Sequence, residues 1–198
     1  MENDYEVLIS GYISENVGIA DHFLSDELSA HLKQNLIALN KKKLLVAAGT
    51  GNDEKFKQNT SVRGDSIYWL DRKHNDKYEN EFLDQIDDFI KYLNKSCFAG
   101  ITSYEFHYSL YESGAFYKKH LDQFLNNPNR KFSMISYLNE SWKESDGGQL
   151  KIYQSYNDKK ISPTSGKTVF FKSNELQHEV LVTNEKRMSI TGWLKSGG

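Results

Sequence analysis

Cysteine occurs once in this sequence, proline twice, and no apolar run approaches the length of a membrane span. The single thiol, Cys97, excludes an intramolecular disulfide. It follows an amphipathic run and is expected to be a small buried residue. A spanning helix needs about 18 consecutive apolar residues, and the longest runs fall well short, so no membrane partner is expected. No secretory signal is read either, and a reducing cytoplasm is the expected compartment. Charge of one sign is lacking too: the net charge is −2, which leaves no nucleic-acid footprint. Repeats, low-complexity tracts and interdomain linkers are also missing. Aromatic residues, by contrast, are plentiful, with 12 Tyr and 11 Phe, and they suit a β-rich core. Charged residues at 26% and hydrophobic ones at 38% are ordinary for a soluble globule. A chain of 198 residues is expected to form one domain, 1–198, and to act as a monomer.

The hydrophobic periods divide the chain. Residues 5–24 mix a short amphipathic segment with a strand near Val17–Leu24. Ser25 suits an N-cap, with Asp26 and Glu27 in the first turn and Leu28, Leu32, Leu36 and Leu39 at helical spacing, so 26–40 reads as a helix. Residues 47–62 are polar and without period, a long loop of the kind that is often functional. Arg63-Gly64-Asp65 follows and is better explained by a structural Arg–Asp pair than by adhesion. Ser66–Leu70 reads as a strand. Phe82, Ile86, Phe89, Ile90 and Leu93 mark a second helix over 77–97. From there on short strands are expected at 103–111, 115–120, 131–139, 149–154, 167–172, 177–183 and 187–195. Turns fall between them at Asp146-Gly147-Gly148 and Thr164-Ser165-Gly166. Helices followed by many strands imply an α+β fold, helices packed on a sheet. A jelly roll would bring early and late strands together.

The stretch Phe116–Asp122 offers His120 and Asp122 two residues apart, after a run in which Tyr104, Phe106, Tyr108 and Leu110 alternate with Glu105, His107 and Ser109. By itself the pair means little: with 6 His and 27 acidic residues, about one His-x-acid match is expected by chance. A second match, His74-Asn75-Asp76, sits in a polar run and reads as a solvated loop. His120 and Asp122 on a strand would share a face. Together with His178 they would form the two-His, one-carboxylate set of non-haem Fe(II) oxygenases. Nine residues beyond His178 comes Arg187, whose planar fork suits a dicarboxylate cosubstrate, with Thr191 at even spacing on the same face. Taken singly, these residues read better as a salt-bridged sheet pair and a surface arginine.

In order, Tyr111, Tyr117-Lys-Lys-His120-Leu-Asp122, Tyr137-Leu138-Asn139, Gly147-Gly148-Gln149-Leu150, His178-Glu179-Val180 and Arg187…Thr191-x-Trp193 resemble the Fe(II)/2-oxoglutarate-dependent prolyl 4-hydroxylases. The likeness is to the oxygen-sensing animal enzymes and their bacterial relatives, and it runs from about residue 17 to 195. It implies a double-stranded β-helix, jelly-roll or cupin-like, supported by N-terminal helices. It implies a dioxygenase that hydroxylates a prolyl residue of a protein and releases succinate and CO2. Its iron ligands would be His120, Asp122 and His178. Arg187, Tyr137 and Thr191 would hold 2-oxoglutarate, and Tyr111 would line the pocket. Arg63 and Asp65 with the loop 47–62 would cover a peptide, and Tyr117, Arg130 and Trp193 would border its access. O2 would be the cosubstrate, ascorbate a reductant, and oxygen sensing a role of such enzymes. The protein partner would carry the target proline; bacterial relatives act on a translation elongation factor. The turn Tyr111–Gly114 is shorter than in the animal enzymes, and Gln123–Arg130 is this chain's own.

Three alternatives use the same residues. A nucleic-acid demethylase would carry a second arginine soon after Arg187, and none follows. A cupin-like sensor would bind metal or a small acid without turnover. Metal-assisted hydrolysis could run on the same ligands, but it has no need of Arg187, Tyr137 and Thr191.

Overall fold

A computed structural model of the chain describes residues 2–49, 61–123 and 128–197. Its core is two antiparallel sheets facing each other, a double-stranded β-helix, with three helices laid against the outer side of the larger sheet. The helices are α1 (Glu2–Glu15), α2 (Asp26–Lys41) and α3 (Lys77–Cys97). In the larger sheet are β1 (Val17–Ala20), β2 (Val46–Ala47), β3 (Asp65–Trp69), β4 (Ser103–Tyr111), β6 (Arg130–Tyr137), β9 (Thr168–Lys172) and β11 (Arg187–Lys195). In the smaller are β5 (Tyr117–His120), β7 (Leu150–Ile152), β8 (Lys159–Ile161) and β10 (His178–Val180). The orders are β1-β9-β6-β11-β4-β3-β2 and β5-β10-β7-β8.

Local chemistry explains the helices. Ser25 caps α2 by accepting the Leu28 N–H at 3.1 Å, and Leu28, Leu32 and Leu36 bury one stripe. Asp76 caps α3 by accepting the N–H groups of Tyr78 and Glu79, and Phe98 ends it in the left-handed region at φ 52°. Phe82, Ile86, Phe89 and Leu93 then face the sheet. Each such side chain contributes about 1.5–3 kcal/mol on burial.

The alternation along β4 sorts its side chains. Phe106, Tyr108 and Leu110 join the core beneath the helices, while Tyr111 joins a second core between the sheets with Ile135, Tyr137, Leu150, Ile152, Val169 and Phe171. The candidate site residues border this second core. No helix among the described residues is long and apolar enough to cross a membrane.

Several expectations are corrected. The first helix is 14 residues long rather than a short segment. Gly11 and the β-branched Val7, Ile9 and Ile13 weaken its local signal, and packing of Tyr5, Leu8 and Ile9 overrides propensity. Cys97 is exposed, because it sits at the last residue of α3 beyond the buried stripe. His74 is exposed, as expected, but it closes a 3-10 turn and its Nδ1 pairs with the buried Glu79 at 3.0 Å. Strands β2 and β8 were not expected. They are two and three residues long, and neither length can show a period. Of the loop 47–62, residues 50–60 lie outside the described residues, as do 124–127 of the segment Gln123–Arg130.

Candidate active site

His120 is the last residue of β5 and stands opposite His178 on β10. Antiparallel pairing therefore joins two imidazoles from distant parts of the chain, with ring centroids 4.3 Å apart. Asp122 arrives differently from the same-face strand pair expected. It lies past the end of β5, where its N–H and that of Gln123 donate to the Ser173 carbonyl. Its Oδ2 accepts the Ser133 hydroxyl at 2.6 Å, and Ser133 meets the Ser173 hydroxyl at 3.0 Å. That anchoring carries the carboxylate to 3.4 Å from His120 Nε2 and 3.6 Å from His178 Nε2.

The tautomers are set from behind. His120 Nδ1 lies 2.7 Å from the Lys118 carbonyl and His178 Nδ1 lies 3.0 Å from that of Leu176. A carbonyl only accepts, so each Nδ1 carries the hydrogen and each Nε2 turns inward as a ligand atom. One ligand atom from each of the three residues lies within 4.8 Å of the others. Burial works against charge on both histidines and lowers His120. For His178 burial is outweighed by the attraction of Asp122, and the net shift is upward. Burial would raise Asp122, but the two histidines hold it well below the usual carboxylate range. A carboxylate kept ionised between two imidazoles fits a divalent metal of the non-haem iron type.

Arg187, the first residue of β11, is 1% exposed. Its Nε donates to the Gly148 carbonyl at 2.8 Å and its Nη1 reaches Ser189 Oγ at 3.4 Å. The rings of Tyr111 and Tyr137 flank the guanidinium, 5.0 and 5.1 Å from its carbon. Among the described residues no carboxylate lies within ion-pair range of it. The buried Tyr137 hydroxyl beside it makes no hydrogen bond of normal geometry. Burial pushes that phenol up to about 12, so it is a protonated donor. An uncompensated buried charge costs several kcal/mol, so this pair fits the carboxylate of a ligand.

The pairing register shows what lies between. Across β4 and β11 the partners are Tyr111 with Arg187, Ser109 with Ser189, His107 with Thr191, and Glu105 with Trp193. Thr191 does share the Arg187 face, but two rows away, opposite His107 and Ile135. The hydroxyl that reaches the guanidinium belongs to Ser189. Parity along β11 could have found Ser189; nothing in the sequence marks Ser173. His107 was also missed. It is buried, with Nδ1 3.1 Å from Ser109 Oγ, and it contacts Trp69 and Trp193.

The residues expected to meet substrate fall on either side of the triad. Arg63 forms a two-pronged pair with Asp65, lies over Tyr117, and Tyr117 stacks on His120. On the other side Arg130 pairs with Glu105, lies 3.4 Å over the Trp193 ring and reaches the Asp122 carbonyl. The Trp193 indole N–H is buried and unpartnered.

Residues 106–195 match the 2OG-Fe(II) oxygenase superfamily. A prolyl-4-hydroxylase from Pseudomonas putida is 30% identical over 98% of this chain and 100% of its own, with a TM-score of 0.88. The chain belongs to the Fe(II)/2-oxoglutarate prolyl hydroxylase family. It is a 2-oxoglutarate-dependent dioxygenase, with Fe(II), 2-oxoglutarate and O2 as its cofactors. Two further structures share the fold. The prolyl hydroxylase of Trichoplax adhaerens, in complex with a hypoxia-inducible-factor peptide fragment, is 23% identical, with TM-score 0.87 and coverage of 98% of this chain and 90% of that one. The non-haem epimerase SnoN of nogalamycin biosynthesis is 12% identical, with TM-score 0.70 and coverage of 99% and 82%.

Proposed function

We propose that this dioxygenase hydroxylates a prolyl residue of a protein, using His120, Asp122 and His178 to hold Fe(II) and Arg187 to hold 2-oxoglutarate. One observation carries the cosubstrate half of the reading: Arg187 and Tyr137 form a buried, carboxylate-free donor pair on the same site as three convergent metal ligands. Bound Fe(II), with O2 and 2-oxoglutarate, supplies an oxidative decarboxylation to succinate and CO2 that can oxidise an unactivated carbon. The protein's share is orientation. Lys118 and Leu176 carbonyls fix the two imidazoles, and Ser133 and Ser173 fix the carboxylate. Arg187 and Tyr137 would hold the far carboxylate of the cosubstrate and so fix its orientation in the site. Tyr111, Ile135 and Val169 are apolar walls that keep water from the reacting centre. Trp193 and Arg130 border the opening, where a peptide carbonyl would satisfy the buried indole N–H. The whole chain acts as one domain and as a monomer, and the first protein to test is a translation elongation factor.

The test is mass spectrometry of lysate proteins treated with this protein, Fe(II), 2-oxoglutarate and O2, with His178→Ala as control. An added oxygen on proline, missing from the control, is the expected result. The same gain on another residue type would discard prolyl specificity. No gain and no succinate would discard the catalytic reading.

A further inference from the structure

We propose that Asp65, Arg63 and Tyr117 are positioning residues for the metal ligand His120, forming a stacked prop behind its ring; this rests on the iron-site reading above. Resemblance alone would make all three substrate contacts. Arg63 and Asp65 are instead bonded to each other inside the protein, and Tyr117 is stacked between Arg63 and His120. Asp65 is buried in β3 and receives Arg63 Nε at 2.7 Å and Nη2 at 2.6 Å on its two oxygens. Arg63 Nη1 donates to the Gly49 carbonyl at 3.3 Å. Three of the five guanidinium N–H groups are therefore used inside the protein, and its flat face is turned to a neighbouring ring.

That face lies on Tyr117, with the guanidinium carbon 4.2 Å from the ring centre. The His120 ring stacks on the same tyrosine at 3.6 Å and 14°. Two groups cannot both sit over one ring centre on one face, so Arg63 and His120 take opposite faces of Tyr117. Backbone pairing keeps the three in register: Gly64 N–H donates to Phe116 O and Lys118 N–H to Val62 O, both at 2.9 Å, with a bridge between Arg63 and Tyr117. The Nδ1 bond to Lys118 pins one atom of the imidazole but leaves it free to turn about that contact. The stacked Tyr117 plane and the tilted His178 ring, 4.3 Å away at 56°, restrict that freedom. The ion pair holds Arg63 flat and offsets its charge close to the metal ligands. A ligand ring held in its working plane needs no reorganisation when the metal binds, and removing such support typically costs 10–100-fold in metal affinity.

The test follows iron release. The full chain is loaded with Fe(II) without oxygen, mixed with excess ferrous chelator, and the rate of release is read for wild type, Tyr117→Phe and Tyr117→Leu. Tyr117→Phe keeps the plane and should release iron at the wild-type rate; Tyr117→Leu loses it and should release at least about 10-fold faster. The double variant Arg63→Gln/Asp65→Asn removes both charges together, leaving no unpaired buried carboxylate, and should also accelerate release. It carries the test if Tyr117→Leu does not fold. Wild-type rates in Tyr117→Leu and in the double variant overturn the proposal and return these residues to substrate contacts. A Tyr117→Phe rate as fast as Tyr117→Leu also overturns it, since the hydroxyl rather than the stack would then matter. If wild type releases iron no more slowly than His178→Ala, it is the iron-site reading that fails.

Discussion

His107 shows how a single residue can be hidden in a sequence and decisive in a fold. In the alternation of β4 it is one polar position among several, yet the strand pairing places it between Trp69 and Thr191, under Trp193. Burial, the main cause, lowers its imidazole to about 4. The folded value is below the ordinary one, so between about 6.5 and 4 the unfolded chain takes up the proton and the folded chain does not. Stability is then fully present above pH 6.5 and is lost as the pH falls towards 4, by about 3 kcal/mol in all. Urea unfolding of wild type and His107→Gln at pH 7.5 and 4.5 checks this: wild type should lose about 2–3 kcal/mol more than the variant. Equal losses would show that His107 is not held neutral. The candidate site residues were easier to single out, since His120, Asp122, His178 and Arg187 are a chemically rare combination in order along the chain. Ser133, Ser173 and Ser189 were illegible because serine is common, and only three-dimensional placement turns these into partners of Asp122 and Arg187.

Elements were legible where their period was clean, and α1, of 14 residues with Gly11 inside it, was read only as a short segment. Strands β4 and β11, of nine residues each, and α3, of 21, have the bounds that alternation and helical spacing imply. The short strands β2 and β8 had no period to read. Asp122 escaped its expected place because β5 stops at His120, and the carboxylate is carried by backbone bonds to Ser173 instead of by a strand. Within β11, Gly192 is a close-approach glycine: a Cβ there would overlap the Phe106 ring and the Glu105 carbonyl on β4. Gly192→Ala should therefore push apart the two strands that carry Arg187 and Tyr111. A loss of about 1–3 kcal/mol in chemical denaturation is expected. An unchanged midpoint would show that the sheet relaxes there at no cost. Gly148 is constrained in another way. It holds φ +63° with Thr183 and the Arg187 stem packed where a side chain would go, which lets its carbonyl meet Arg187 Nε.

Across the whole molecule, the candidate site draws on both sheets. Iron would bridge β5, β10 and the segment after β5, while 2-oxoglutarate would bridge that centre to β11 and β6. Ligands that bind only the folded state stabilise it, by about 2.7 kcal/mol at 100 times the dissociation constant. For a chain of this size that is a melting shift of about 5–10 °C. Without oxygen, Fe(II) should raise the wild-type melting temperature and 2-oxoglutarate should raise it further. Arg187→Ala should keep most of the iron increment and lose most of the second; His178→Ala should lose both. A full 2-oxoglutarate increment in Arg187→Ala would sink the assignment of that arginine. The topology behind this was legible only in outline. Helices followed by strands imply only an α+β fold and the jelly roll came from the resemblance, while which strands become neighbours depends on pairings no local pattern records.

Strand β11 is the latest strand of the chain and yet a central one, hydrogen-bonded to β6 on one side and β4 on the other along nearly its whole length. Until it arrives, the larger sheet is two ribbons, β1-β9-β6 and β4-β3-β2, each with an open edge facing the gap. During synthesis the ribosome must therefore release residues up to about 195 before the halves can join and before Arg187 can enter the pocket. Until that moment a nascent chain exposes two unpaired edges and is open to aggregation.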